Sequence, residues 1–164
     1  MLGVINLKDV DTVTHEIDYS NLYTAEDFSG SGKHILQDGD ILVAARGNDN
    51  GAVLFQKHKL TGPIVAAGAL IVIRPMLEYL NPAYLAWYLN MKDSQILFRR
   101  SQVGTTVRNL SIGTLHEFEI KVPPLRKQQA IGEIYILHQQ DKRISREREE
   151  KWAQLINEQI KGIL

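Results

Sequence analysis

The stretch from Pro123 to Leu164 constrains this chain more than any other. Pro123 and Pro124 precede a run of Leu, Arg, Lys, Gln, Ala, Ile and Glu with no further proline, and its only glycines are Gly132 and Gly162. Proline at the entry and glycine at the exit mark the start and stop of a helix. A helix over about 125–161 is on the order of 55 Å long at 1.5 Å per residue. A body of roughly 120 residues is only about 30 Å across. Such a helix either projects or lies against a partner.

Its apolar residues point to a partner. Ile131, Ile134, Leu137, Ile144, Trp152, Leu155 and Ile163 fall on steps of roughly three and four, with His138, Asp141, Arg148 and Gln159 completing the series. This is a coiled-coil seam with a polar middle. Between Asp141 and Lys151 the only aliphatic residue is Ile144. One such helix alone is marginal. Two running antiparallel set apolar ends over apolar ends and charges over charges. The competing reading is a helix packed on its own domain.

With 164 residues, 44% of them hydrophobic, the chain can bury one ordinary core. It has no cysteine, which excludes disulfides and thiolate metal sites and fits a reducing cytoplasm. No apolar run approaches the roughly 18 residues of a membrane span. The N-terminus lacks a signal peptide's basic-then-apolar pattern. A cytoplasmic protein without membrane contact is expected. The net charge is zero, yet residues 1–45 carry two Lys/Arg against eight Asp/Glu and residues 46–124 carry nine against five. The middle of the chain therefore offers a modest positive face.

Ahead of the helix the pattern is of short strands and turns: Leu2–Leu7, Thr12–Ile17, Ile41–Ala45, Ala52–Phe55, Ile64–Ala67, Ala69–Ile73 and Phe118–Val122 read as strands. Asn21–Phe28 reads as a loop or one helical turn. Asp38-Gly-Asp40 is a turn. Asn81 caps a helix with Pro82 at its first position, running to Met91, and Ser94–Arg100 is a second short helix. Ser111 caps a third, through Leu115. The fold class is α+β, strands first and helices toward the end.

Catalytic signatures are fragmentary. Gly30-Ser-Gly-Lys33 lacks the spacing of a phosphate-binding loop. Asn81-Pro-Ala-Tyr84 is one residue from the Asn-Pro-Pro-Tyr of amino-methyltransferases, but no glycine-rich cofactor turn accompanies it, and a helix cap is the better reading. Glu119-Ile-Lys121 is half of a nuclease pattern and reads better as a strand with charges facing water. The five histidines show no paired metal spacing. No catalytic residue, metal site or cofactor is expected. What remains is a recognition surface. Arg, Lys, Asn and Gln on loops reach phosphates and base edges of DNA. Arg46, Asn48, Asn50, Lys57, Lys59, Arg99, Arg100, Thr105, Arg108 and Asn109 are of suitable type on three turns. Arg46 and Arg108 are the best placed. The alternative for each is a solvated loop residue.

Several pieces, in order, resemble one family. They are Val4-Ile-Asn-Leu-Lys-Asp-Val10, Leu36 to Gly47, Ile71-Val-Ile-Arg-Pro75, Asn81 to Asn90, Gly104-Thr-Thr-Val-Arg-Asn-Leu-Ser111, and Leu115 to Val122 followed by Pro-Pro-Leu-Arg-Lys-Gln-Gln129. Together they are similar to the specificity subunit of type I restriction-modification systems, in its single-repeat half-subunit form. The resemblance implies a target recognition domain over 1–122, with a mixed or antiparallel twisted sheet and short helices, and a conserved-region helix over 123–164. In that family two recognition domains sit at opposite ends of two antiparallel helices. The helices set the distance between two half-sites of double-stranded DNA and dock methyltransferase subunits, through which the restriction subunit joins. One recognition domain here, where the full subunit has two, implies a homodimer reading a palindromic bipartite site. The family carries a further strand or two ahead of the Val4 region, where this sequence begins. The rival expectation is an interaction protein acting through its helix alone, such as an inhibitor or remnant of a full specificity subunit.

Overall fold

The computed structural model describes residues 2–11, 13–25, 34–47, 49–57, 62–102 and 109–163. In chain order its elements are β1 (Leu2–Ile5), β2 (Val10–Asp11), β3 (Glu16–Ile17), β4 (Tyr23–Ala25), β5 (Ile41–Ala44), β6 (Ala52–Leu54), β7 (Ile64–Ala66), β8 (Leu70–Ile73), α1 (Pro82–Asn90), α2 (Lys92–Ser101), α3 (Ile112–His116) and α4 (Leu125–Lys161). The class is α+β, and the long helix begins directly after the paired prolines. Among the described residues the strands form three small sheets, ordered β4-β1-β7, β2-β3 and β6-β5-β8. Pairing is mixed: β1 runs antiparallel to β4 and parallel to β7.

The β5–β6 hairpin divides the core in two. Ile41 and Val43 of β5 and Ala52 of β6 face a cluster with Leu85, Leu89, Phe98 and Leu110. Leu42, Val53 and Phe55 face the other side, against Ile5, Val10, Ile17 and Ile64. A strand covered on both faces needs apolar residues at every position, which is why Ile41-Leu-Val-Ala44 shows no alternation.

Asp40 closes the turn ahead of β5 and is 1% exposed. Its carboxylate accepts from Arg74 Nε at 2.8 Å, Arg74 Nη2 at 2.7 Å and the Gln37 amide at 2.7 Å. A buried carboxylate needs such a fork of donors. The Asp-Gly-Asp and Ile-Arg-Pro pieces of the sequence are thus one structural unit.

The caps stand where the sequence puts them. Asn81 Oδ1 accepts from the Tyr84 amide at 3.0 Å with Pro82 in the first turn, and Ser111 Oγ accepts from the Thr114 amide at 3.0 Å. Asn81-Pro-Ala-Tyr84 is therefore a helix start. Tyr84 is 2% exposed and donates its hydroxyl to the Lys121 carbonyl.

Three expectations are corrected. Of the strand expected over Thr12–Ile17 only Glu16–Ile17 pairs, because residues 13–15 form a turn with His15 in the left-handed region. Tyr23–Ala25 is a strand, paired with β1, where a loop or helical turn was expected. Phe118–Val122 is not a strand. Phe118 and Ile120 do pack on the core at alternate positions, so the two-residue period is real, but among the described residues no strand pairs with it. Gly30-Ser-Gly-Lys33 lies outside the described residues.

α1 and α4 run side by side in the same direction, in close contact at Gly132. A Cβ there would lie 2.8 Å from Asn81 Oδ1, 2.9 Å from Ala83 Cβ and 3.2 Å from the Tyr84 amide nitrogen. Glycine to alanine inside a helix ordinarily gains about 1 kcal/mol. Here Gly132→Ala is expected to lose about 1–3 kcal/mol through overpacking, lowering the melting temperature by several degrees in a thermal scan. An unchanged or raised melting temperature contradicts the tight crossing.

Candidate nucleic-acid interface and helix seam

α4 carries two faces. Gln128, Gly132, Tyr135, Gln139, Arg143 and Arg146 step by three and four along one side, and each meets the body. Gln128, 1% exposed, accepts from the Asn81 amide at 2.9 Å and donates to the carbonyls of Tyr79 at 2.9 Å and Pro123 at 2.7 Å. Asn90 Nδ2 donates to the Tyr135 hydroxyl at 2.7 Å. Burial pushes that phenol up to about 12. Gln139 Nε2 donates to the carbonyls of Thr14 and His15 at 3.1 and 2.9 Å. Arg143 pairs with Glu16 at 3.3 Å, and Arg146 with Asp11. Burial opposes ionisation of Asp11, but the Thr14 and Val13 amides and Arg146 outweigh it and hold the carboxyl below its usual range.

The other face is apolar and open. Ile134, Leu137, Ile144, Trp152, Leu155 and Ile163 are all more than half exposed, and Ile131 is half-buried on the flank. At about 100° per residue, this seam lies roughly half a turn from the docked side. The helix thus packs on its own body through polar residues, as the competing reading has it, and leaves the apolar series outward.

His15 sits where α4 leaves the body, in the left-handed region at φ 55°. The turn is held by Asp11, whose Oδ1 accepts from the Val13 and Thr14 amides. Burial and then Lys142 lower the His15 pKa, against the opposing pull of Asp11 and Asp49. A histidine held neutral in the folded state contributes stability above its unfolded pKa of about 6.5, lost as pH falls from there toward the depressed folded value. The melting temperature is expected to drop between pH 7.5 and 5.5, and to drop less in His15→Asn, which tolerates the same backbone. Equal drops in both proteins remove His15 as a cause.

The candidate DNA-reading residues are sorted by the hairpin. Arg46 forms an antiparallel bridge with Asn109, and the Leu110 amide donates to the Ala45 carbonyl at 2.8 Å. The end of α2 joins the same place. Gln102 Nε2 donates to Asn50 Oδ1 at 2.7 Å, and Gln95 Nε2 to the Asn50 carbonyl at 3.0 Å. Arg46, Arg99, Arg100 and Asn109 are exposed around this end. Lys57, also exposed, is not among them. It follows β6 to the opposite end, where its amide donates to Asp38 Oδ1 at 2.8 Å. At roughly 3.3 Å per residue, five residues of extended chain from Ala52 put it about 15 Å away.

Asn50 is placed differently from the expectation that it faces DNA. It is 1% exposed, and its Nδ2 donates to the Ala44 carbonyl at 2.8 Å while Gln102 occupies its Oδ1. Both ends of the amide hold the loop. Asn48, Lys59, Thr105 and Arg108 lie outside the described residues. Gln128 stands in the Pro-Pro-Leu-Arg-Lys-Gln-Gln129 piece of the sequence without an assigned role, and Gln95, Gln102 and Gln139 are singled out by nothing in it. Their signal was polar letters at helical spacing, which a search for apolar periodicity passes over.

Among the described residues no group of three or more His, Cys, Asp or Glu side chains is placed to hold a metal ion, and no helix is long and apolar enough to cross a membrane.

Comparison with known proteins supports one family. No curated protein sequence matches at a significant level. Among solved structures, a chain from work on complex assembly and conformational transition of the type I R-M system aligns with TM-score 0.67 at 16% identity, over 91% of this chain and 38% of that one. The HsdS subunit from Thermoanaerobacter tengcongensis aligns with TM-score 0.63 at 17% identity, again over 91% and 38%. At these identities the likeness is one of fold, and this chain spans 38% of the length of each. Residues 6–155 match the family model for the type I restriction modification DNA specificity domain. With nearly all of its length inside that match, the chain belongs to this family.

Proposed function

We propose that this chain is the non-catalytic, sequence-reading subunit of a type I restriction-modification system, working in the cytoplasm as a homodimer. Residues 1–122 act as the target recognition domain and residues 123–164 as the spacer and dimerisation helix. The observation that carries the reading is the division of α4. Its polar side is occupied by the body, while its apolar side stays exposed over the length of the helix, as a ruler between two bodies requires. Two copies related by a two-fold axis present two like ends to DNA and so read an inverted, bipartite site. The paired helices then dock methyltransferase subunits, and through them the restriction subunit.

On each body the reading end is that of Arg46, Arg99, Arg100 and Asn109, flanked in sequence by Asn48, Thr105 and Arg108. Lys57 and Lys59 are left for backbone contacts elsewhere. Selection from a random duplex pool at low salt, with and without methyltransferase subunits, tests the whole reading. Two inverted half-sites at fixed spacing are expected. No enrichment in either condition would leave the interaction-protein alternative.

A residue-level test follows from the sorting. Arg46→Ala, Arg99→Ala and Arg100→Ala are each expected to weaken binding by about 1–3 kcal/mol where a base is met, or to reduce the salt slope by about one where a phosphate is met. Lys57→Ala is expected to weaken binding less than any of them. Titrations at several salt concentrations check this, and a dominant effect of Lys57→Ala would move the interface to the opposite end.

A further inference from the structure

The last turns of α4 are apolar over too wide an arc for one partner helix. At about 100° per residue, Ile134, Leu137 and Ile144 span roughly 80° of circumference, a width that a single neighbouring helix covers. Trp152, Leu155, Ile156 and Ile160 span about 140°. All four are 43–66% exposed. Ile156 and Ile160 account for the widening, on the flank away from Leu155.

A matching cavity lies at the other end of the same helix. A cleft of about 610 Å³ runs between α1, α2 and the 118–123 segment, lined among others by Trp87, Tyr88, Leu97, Phe118, Val122 and Ile131. Its lining is mostly apolar. Leu97 and Val122 are 52% and 55% exposed.

Resting on the homodimer reading above, we propose that this cleft receives Ile156 and Ile160 of a second copy's α4. The seam sets the register. An antiparallel pairing in which facing residue numbers sum to 289 places Ile134 against Leu155, Leu137 against Trp152 and Ile144 beside its own symmetry mate. The same register sets Asp141 against Arg148, twice by symmetry, so the polar middle is charge-complementary. It also puts Ile131 level with residue 158, between Ile156 and Ile160 of the other copy. A two-fold axis normal to both helices keeps the same flank of each on the same side. By angular position Ile156 and Ile160 lie within about 20° of Ile131 on that flank. Register, flank and apolar character coincide at the cleft.

The cysteine-free sequence makes crosslinking clean. Within one chain Ile160 is about 44 Å along the helix from Ile131, so a short bismaleimide joining Leu97→Cys to Ile160→Cys can only bridge two copies. The experiment uses the full chain, with Ile144→Cys as a separate report on the dimer. The expected result is a covalent dimer from Ile144→Cys and a stronger one from the Leu97→Cys/Ile160→Cys pair than from either single variant. A dimer through Ile144→Cys with none through the pair overturns the cleft proposal and leaves the homodimer standing. Crosslinking by neither overturns both. Ile160→Asp, at a position exposed in the single chain, should weaken dimerisation at least tenfold in sedimentation runs without altering the circular dichroism spectrum. Unchanged dimerisation contradicts the proposal.

Discussion

Gln128→Leu is expected to loosen the long helix from the body and to cost about 3–5 kcal/mol. The side chain fits the space, but the Asn81 amide and the Tyr79 and Pro123 carbonyls lose their partner in a site with 1% exposure. Each buried polar group left unpaired costs about 1–3 kcal/mol. For a chain of this size the melting temperature falls by roughly 10 °C. The loss should be local in its first stage. Amide exchange is expected to rise over Pro123–Gln139 before it rises in β5, because the hairpin core keeps its own contacts. A shift under about 2 °C, or uniform exchange, would mean that Gln128 does not anchor the helix. Gln128→Glu keeps one acceptor and loses the donor, so it should fall between wild type and Gln128→Leu.

The second large effect concerns DNA. Leu137→Glu with Trp152→Glu is expected to give a folded monomer, because the two side chains are 64% and 66% exposed and support nothing in the single chain. In the antiparallel register they face each other across the copies, and two carboxylates meet at each end. Affinity for a duplex with both half-sites should fall by about 10²–10⁴, the usual worth of a second tethered contact. Affinity for a half-site should stay the same. Leu137→Glu with Trp152→Lys should restore the dimer in a salt-sensitive form. Sedimentation together with titration of one-site and two-site duplexes checks both variants. Full two-site affinity in the double glutamate variant would show that the seam does not hold the dimer.

These predictions place stability and function on different faces of one helix. The docked face is polar. Glutamines and a tyrosine there meet backbone groups that would otherwise be buried without partners. The open face is apolar and has no such duty within the chain.

Much was legible in the sequence because it is local. Paired prolines and the absence of a later breaker determine α4. Asn81 with Pro82, and Ser111, determine two helix starts, since a cap needs only its own side chain and an amide three residues on. The unbroken run Ile41–Ala44 announces a strand buried on both sides. The seam residues Ile134, Leu137, Ile144, Trp152 and Leu155 are readable because apolar spacing survives whether or not the partner is present.

What the tertiary structure alone decided depends on distance in sequence. Which face of α4 meets the body was hidden, because Gln128 and Gln139 take partners 47 and 125 residues away. Asn50 reads as a surface residue, and becomes a buried brace only because Gln102 arrives 52 residues later. Lys57 and Arg46 both read as candidates for one DNA-facing surface, and a single hairpin sends them to opposite ends. Phe118 and Ile120 alternate like a strand, yet among the described residues no strand pairs with them. Local chemistry selects elements, whereas a hydrogen bond between distant residues exists only after the chain has closed the loop between them.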